Sequence, residues 1–252
     1  MRNNHFDDYL LIIVAVILCF GFTSCGSDDD DKDDKDNIDT TPISLIAGDD
    51  KTILGADTIS TSNRFVAYAT KNVVHAWHVG EATLLVNGKK TISIKVSPKY
   101  YLYDDPICDW GCDMNYVRSK QKQGTLSSKS TSTLLVYDDA GAASTLAYSF
   151  ENGKLKSVLA VVSTNHTSQY ASYLAERYLM LPYYKGEDTY FVGSDHINLE
   201  DASTVVMMQV YTITQLVTIY MPAQDYSTSS RSVGNTDYIK EMTDDILKEL
   251  RN

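Results

Sequence analysis

From Ile43 to Val96 apolar and polar residues alternate in short runs. Ile43-Ser44-Leu45-Ile46, Phe65-Val66-Ala67-Tyr68, Glu81–Val86 and Thr91–Val96 are β-branched or alternating segments that read as strands. Gly48-Asp49-Asp50 and Asn87-Gly88 separate them, and Asn-Gly between two alternating runs predicts a tight hairpin. After Pro98 the pattern changes. A helix is predicted near Asp113–Gln123 with Asp113 as its N-cap, followed by strands at Thr133–Tyr137, Thr145–Phe150 and Leu155–Val162. Asn152-Gly153 turns between the last two. Apolar residues then recur at three and four positions (Tyr170, Tyr173, Leu174, Tyr178, Leu181), which predicts a helix over Thr167–Leu181. Strands are predicted again at Tyr190–Gly193, Thr204–Thr212 and Leu216–Met221. Helix, strand, strand, strand therefore occurs twice, and two such units can join in one antiparallel sheet with both helices on one face. Residues 227–235 read as a Ser/Thr/Gly linker. Thr236–Leu250 follows as an amphipathic helix with Tyr238, Met242, Ile246 and Leu250 every four residues, to dock on its own domain or on a partner.

The N-terminus has a different pattern. Tyr9–Phe22 is uncharged and would span only about 21 Å as a helix. A bilayer core is roughly 30 Å thick, so the run suits the apolar region of a secretory signal. Phe22-Thr23-Ser24-Cys25-Gly26 then resembles the bacterial lipobox, which implies cleavage after residue 24 and lipidation of Cys25. The following Ser27-Asp28-Asp29-Asp30-Asp31-Lys32-Asp33-Asp34-Lys35-Asp36 resembles the acidic export signal of Bacteroides-type surface lipoproteins. That resemblance implies an outer-membrane, lipid-anchored protein facing the cell exterior. Residues 26–41 hold eight Asp and two Lys, −6, and residues 1–24 carry −1. Of the formal total of −11, only −4 is left for residues 42–252, so the acidity is mostly that of the tether. The aspartate run lacks the spaced Gly and terminal Glu of a calcium loop. With no basic patch to neutralise phosphates, nucleic acid is not an expected partner.

The chain thus divides into a signal peptide (1–24), an acidic tether (25–41), a first β domain (42–98), an α+β domain (99–226) and a C-terminal linker and helix (227–252). In the first domain Val66-Ala67, Asn72-Val73-Val74-His75-Ala76, Val79-Gly80-Glu81-Ala82-Thr83-Leu84 and Ile94-Lys95-Val96 resemble the group 2 bacterial Ig-like module. The likeness implies an all-β sandwich serving as spacer or adhesive unit. The element order of the second domain is similar to the tandem repeat of the β-lactamase-inhibitor-protein-like fold.

Candidate chemistry is sparse. There is no Gly-rich phosphate loop, no H-E-x-x-H and no G-x-S-x-G, so no catalytic residue, cofactor or metal site is expected. Asp195, His196 and Asp201 read as turn chemistry, with His196 exposed. Asp104-Asp105 and Asp138-Asp139 read as bends. Strand alternation puts Val74, Ala76 and His78 on one face and His75 and Trp77 on the other. Core packing is expected for Trp77 and solvent for the histidines. If residues 108–112 are helical, Cys108 and Cys112 lie on one helix face at i and i+4, giving either a disulfide or two buried thiols. A zinc site would need two further ligands. Aromatic residues remain: 18 tyrosines, of which Tyr183 and Tyr184 stand beside Pro182 in a predicted loop, and Trp110. These three are the candidate ligand-binding residues. The expected function is a non-enzymatic surface lipoprotein that binds an extracellular or cell-envelope protein. The alternative is a glycan-binding accessory of a polysaccharide-uptake system. The absence of a dense Trp pattern favours protein.

Overall fold

The computed structural model describes residues 38–185, 188–229 and 235–251. The predicted signal peptide, Cys25 and most of the acidic tether lie outside them. The fold is mostly β, with several antiparallel sheets. Two compact units divide it. Among the described residues one holds 38–100 with 172–177, and the other holds 101–171 with 178–251.

The first unit has seven strands: β1 (Ile43–Ile46), β2 (Asp50–Thr52), β3 (Ile59–Thr61), β4 (Ala67–Thr70), β5 (Val73–Ala76), β6 (Gly80–Val86) and β7 (Lys90–Ser97). They form a four-stranded sheet in the order β1-β7-β6-β3 and a three-stranded sheet in the order β2-β5-β4. β1 runs parallel to β7, and the other pairs are antiparallel. Alternation decides what is buried. Ala82, Leu84 and Val86 of β6 and Ile92, Ile94 and Val96 of β7 enter one core with Ala67, Val74 and Ala76 of the smaller sheet. Each fully buried Leu or Ile contributes about 1.5–3 kcal/mol. Asn87 and Gly88, both at positive φ (51° and 66°), make the predicted β6–β7 turn.

The second unit is built on one sheet. Its elements are α1 (Met114–Lys120), β8 (Thr125–Leu126), β9 (Leu134–Ala140), β10 (Ala143–Glu151), β11 (Lys154–Ser163), a 3-10 turn (Thr164–His166), α2 (Thr167–Ala175), β12 (Leu179–Lys185), β13 (Asp188–Ser194), a second 3-10 turn (Leu199–Asp201), β14 (Thr204–Thr212), β15 (Gln215–Pro222), α3 (Ala223–Ser229) and α4 (Asn235–Arg251). The sheet order is β12-β13-β14-β15-β11-β10-β9-β8, antiparallel throughout. α1 and α2 are therefore each followed by four strands, one more than expected. β8 is only two residues long and carries no readable alternation. β12 takes Leu179–Leu181, which the helical periodicity had assigned to α2. Pro182 explains the change, because its ring disfavours helical backbone at Leu181. Asp113 caps α1 as predicted, its side chain accepting the Tyr116 N–H at 2.8 Å.

Both faces of the central strands are covered, so β11 and β15 read as nearly continuous apolar runs. One face (Val136, Leu159, Val217, Ile219) packs on Ile246, Leu247 and Leu250 of α4. The Lys129 ammonium fixes the end of α4 by donating to the Leu250 carbonyl at 2.6 Å, an otherwise orphaned C-terminal acceptor. The C-terminal stripe thus docks on its own unit. The opposite face carries Tyr148 and Tyr220. There Gln121, the C-cap of α1, accepts from the Tyr148 hydroxyl at 2.7 Å, and Tyr170 of α2 donates to Thr218 Oγ1 at 2.7 Å.

Candidate functional site

Tyr183 and Tyr184 lie on β12, not in a loop. Among the described residues β12 is an edge strand, paired with β13 alone. Leu181, Tyr183 and Tyr184 are 60%, 42% and 63% exposed. Along the same strand Met180 is buried, and its partner strand buries Tyr190 and Phe191. An open edge normally invites another strand. Pro182 lacks an N–H and interrupts that ladder, which is why proline is tolerated on edges and not inside sheets. What remains for recognition is the exposed side chains on the two faces of this edge, Leu181 and Tyr183 on one and Pro182 and Tyr184 on the other.

Trp110 is not part of this row. It is half-buried, and its indole N–H donates to Thr204 Oγ1 at 3.2 Å, so it anchors the loop before α1 to the start of β14. Tyr183 is registered through Tyr190 to Gln209, five residues further along β14, about 17 Å away. The three candidate aromatics therefore do not lie in one place. Cys108 and Cys112 are free thiols. The helical premise fails, because residues 108–112 form an irregular turn before α1 begins at Met114. Burial pushes the Cys108 thiol up, beside Asp195 and Thr204. Cys112 is also raised, by burial and then by Asp109 and Asp113. Neither is poised as a nucleophile.

Asp195 resolves into turn chemistry, whereas Asp138 and Asp139, read as a bend, lie at the end of β9 ahead of the turn at Gly141. Asp195 accepts the N–H groups of Ser203 and Thr204 at 2.9 and 3.1 Å and binds the Ser203 hydroxyl. His196 Nδ1 lies 3.3 Å from the Asn198 carbonyl and 3.7 Å from Asp201. Among the described residues no three His, Cys, Asp or Glu side chains group to hold a metal ion. No helix among them is long and apolar enough to cross a membrane.

The aromatic residues of the first unit depart furthest from expectation. The alternation phase is as read, but the environments are exchanged. His78 is 1% exposed, and its ring stacks on Phe65 at 3.8 Å. Its Nδ1–H donates to the Phe65 carbonyl at 2.7 Å. Burial takes its pKa down to about 4, against the raising effect of that hydrogen bond. Trp77, placed in the core by the sequence reading, is 38% exposed. It meets Tyr68 edge-to-face at 5.9 Å, and Tyr68 stacks on His75 at 4.8 Å. His75 Nδ1 lies 2.7 Å from Asp50 Oδ1. Tyr68 and Asp50 were missed because only the β4–β5 and β2–β5 registers bring them beside His75. The outward phase of His75 and Trp77 was the available signal.

The outer face of the four-stranded sheet forms a shallow groove of about 440 Å³. Ser44, Ser62, Glu81, Thr83, Ser93 and Lys95 line it, without an aromatic. Comparison with protein-family models, curated proteins and solved structures finds no match for this chain.

Proposed function

We propose that the chain is a non-enzymatic outer-surface lipoprotein whose larger unit binds an extracellular or cell-envelope protein. The observation that carries the binding reading is the exposed Leu181-Pro182-Tyr183-Tyr184 row on β12. Mixed aliphatic and aromatic exposure is what the core of a protein interface is made of. Pro182 selects side-chain recognition over strand addition. The location rests on Cys25 and the acidic run behind it. On this reading the two-sheet unit is a group 2 Ig-like spacer next to the tether. The larger unit is a tandem α-β repeat of the β-lactamase-inhibitor-protein-like kind. Helix-then-strands repetition and a single shared antiparallel sheet support that second likeness.

Location is tested by radiolabelled palmitate and external protease. Cys25→Ala abolishes fatty-acid labelling on this account. Deleting residues 28–36 leaves the protein membrane-bound but hidden from protease added to intact cells. Labelling that survives Cys25→Ala contradicts the lipid anchor, and unchanged protease access contradicts the export role of the acidic run.

A further inference from the structure

We infer that Trp77, Tyr68, His75 and Asp50 form a carbohydrate-binding platform on the outward face of the three-stranded sheet. Trp77 carries the largest flat surface in the unit and keeps it 38% open to solvent. Its orientation is fixed from several sides, by Tyr68 edge-to-face at 5.9 Å, by Phe65 at 6.3 Å and by the His78 ring at 4.4 Å. A ring held this way loses little freedom on binding, the condition for efficient stacking. Beyond Tyr68 stand the groups that read hydroxyls. Asp50 offers a carboxylate with 39% of its side chain exposed, oriented by the His75 imidazole at 2.7 Å. An aromatic plane flanked by a carboxylate is complementary to a pyranose ring, which has an apolar C–H face and a rim of hydroxyl groups.

The surroundings select the ligand further. Lys51, Thr52, Thr70 and Lys71 around the strands are exposed and polar, so an apolar peptide side chain finds no pocket here, unlike at β12. The Asp50 carboxylate at the rim of the platform disfavours a uronate or sulfate held against it. The ligand class is a neutral polysaccharide, bound through a single ring on Trp77. The Trp77 platform and the β12 row belong to different units and take different ligand classes, so either can fail alone.

The full-length chain has two tryptophans, so Trp110→Phe leaves Trp77 as the sole indole reporter. The test is retardation in native gels cast with laminarin, xylan, galactomannan or starch, with polygalacturonate as the acidic control. It is combined with Trp77 emission in the Trp110→Phe chain during titration with oligosaccharides from the same four polymers. At least one neutral polymer should retard the chain, and its oligosaccharide should shift the emission. Trp77→Ala should weaken retardation about tenfold, as loss of an aromatic stacking contact does. Asp50→Ala should weaken it less, and polygalacturonate should have no effect. If Trp77→Ala unfolds by circular dichroism, the emission titration and Asp50→Ala decide. No retardation by any neutral polymer, unchanged retardation in a folded Trp77→Ala, or an emission that no sugar moves overturns the assignment.

Discussion

The hydroxyl of Tyr103 lies 2.7 Å from that of Tyr220, in a site where neither side chain reaches solvent. Tyr103 comes from the loop before α1 and Tyr220 from the centre of β15. The same Tyr103 hydroxyl is 2.9 Å from that of Tyr170, which donates its hydrogen bond to Thr218 Oγ1. Four polar groups from a loop, a helix and a strand thus satisfy one another inside an apolar layer. Tyr103→Phe keeps the ring and removes the shared hydroxyl. It should lower stability by about 1–3 kcal/mol in urea denaturation with an unchanged m-value. A loss below a few tenths of a kcal/mol would mean that the network is not formed.

His78 makes the first unit sensitive to acid. Its folded pKa of about 4 lies below the ordinary 6.5 because burial penalises the imidazolium. Between those values the unfolded chain binds the proton and the folded chain does not, so stability falls as pH drops from about 6.5 towards 4. The shift corresponds to on the order of 3 kcal/mol. His78→Gln, which can still donate to the Phe65 carbonyl, should flatten the pH dependence of Tm over this window. An equally steep dependence in the variant would remove His78 as its source.

Glu176 acts in the opposite direction. It is 1% exposed, and one carboxylate oxygen accepts the N–H groups of Lys99 and Tyr100 at 3.1 and 3.0 Å. The other has no hydrogen-bond partner. Burial raises its pKa, against those two N–H groups and the neighbouring Arg177 and Lys99 charges. A raised folded pKa means that stability present below the ordinary 4.5 is lost as pH rises through the folded value. Glu176→Gln keeps an acceptor for both N–H groups without the charge. It should raise Tm at pH 8 and leave it nearly unchanged at pH 4, whereas Glu176→Ala, leaving both donors unpaired, should lower it at both. A Gln variant that melts earlier at pH 8 would show that the ionised form is the stabilising one.

Local signals of short range were legible in the chain. Asn87-Gly88 and Asn152-Gly153 both turn at positive φ between the strands they were expected to join, and Asp113 caps α1. The alternation of β6 and β7 gave their buried faces directly. What failed depends on longer-range partners. The boundary of α2 was lost at Leu179–Leu181, where three apolar residues fit either period and only pairing with β13 selects a strand. The exposure of Trp77 and burial of His78 were inverted because residue type was allowed to outweigh alternation. Hydropathy places an indole inside, but His78 fills the inward position by stacking on Phe65 and donating to its carbonyl.

The central claim, that β12 presents a protein-binding row on the cell surface, is tested most directly by photocrosslinking on intact cells. A photoreactive residue is placed at Tyr184, at Leu181, or at Lys95 on the exposed face of β7 as control. The account predicts one discrete protein adduct of the same mass from positions 181 and 184 and none from 95, lost when Tyr183→Ala is added. No adduct from 181 and 184, or the same adduct from all three positions, would contradict it.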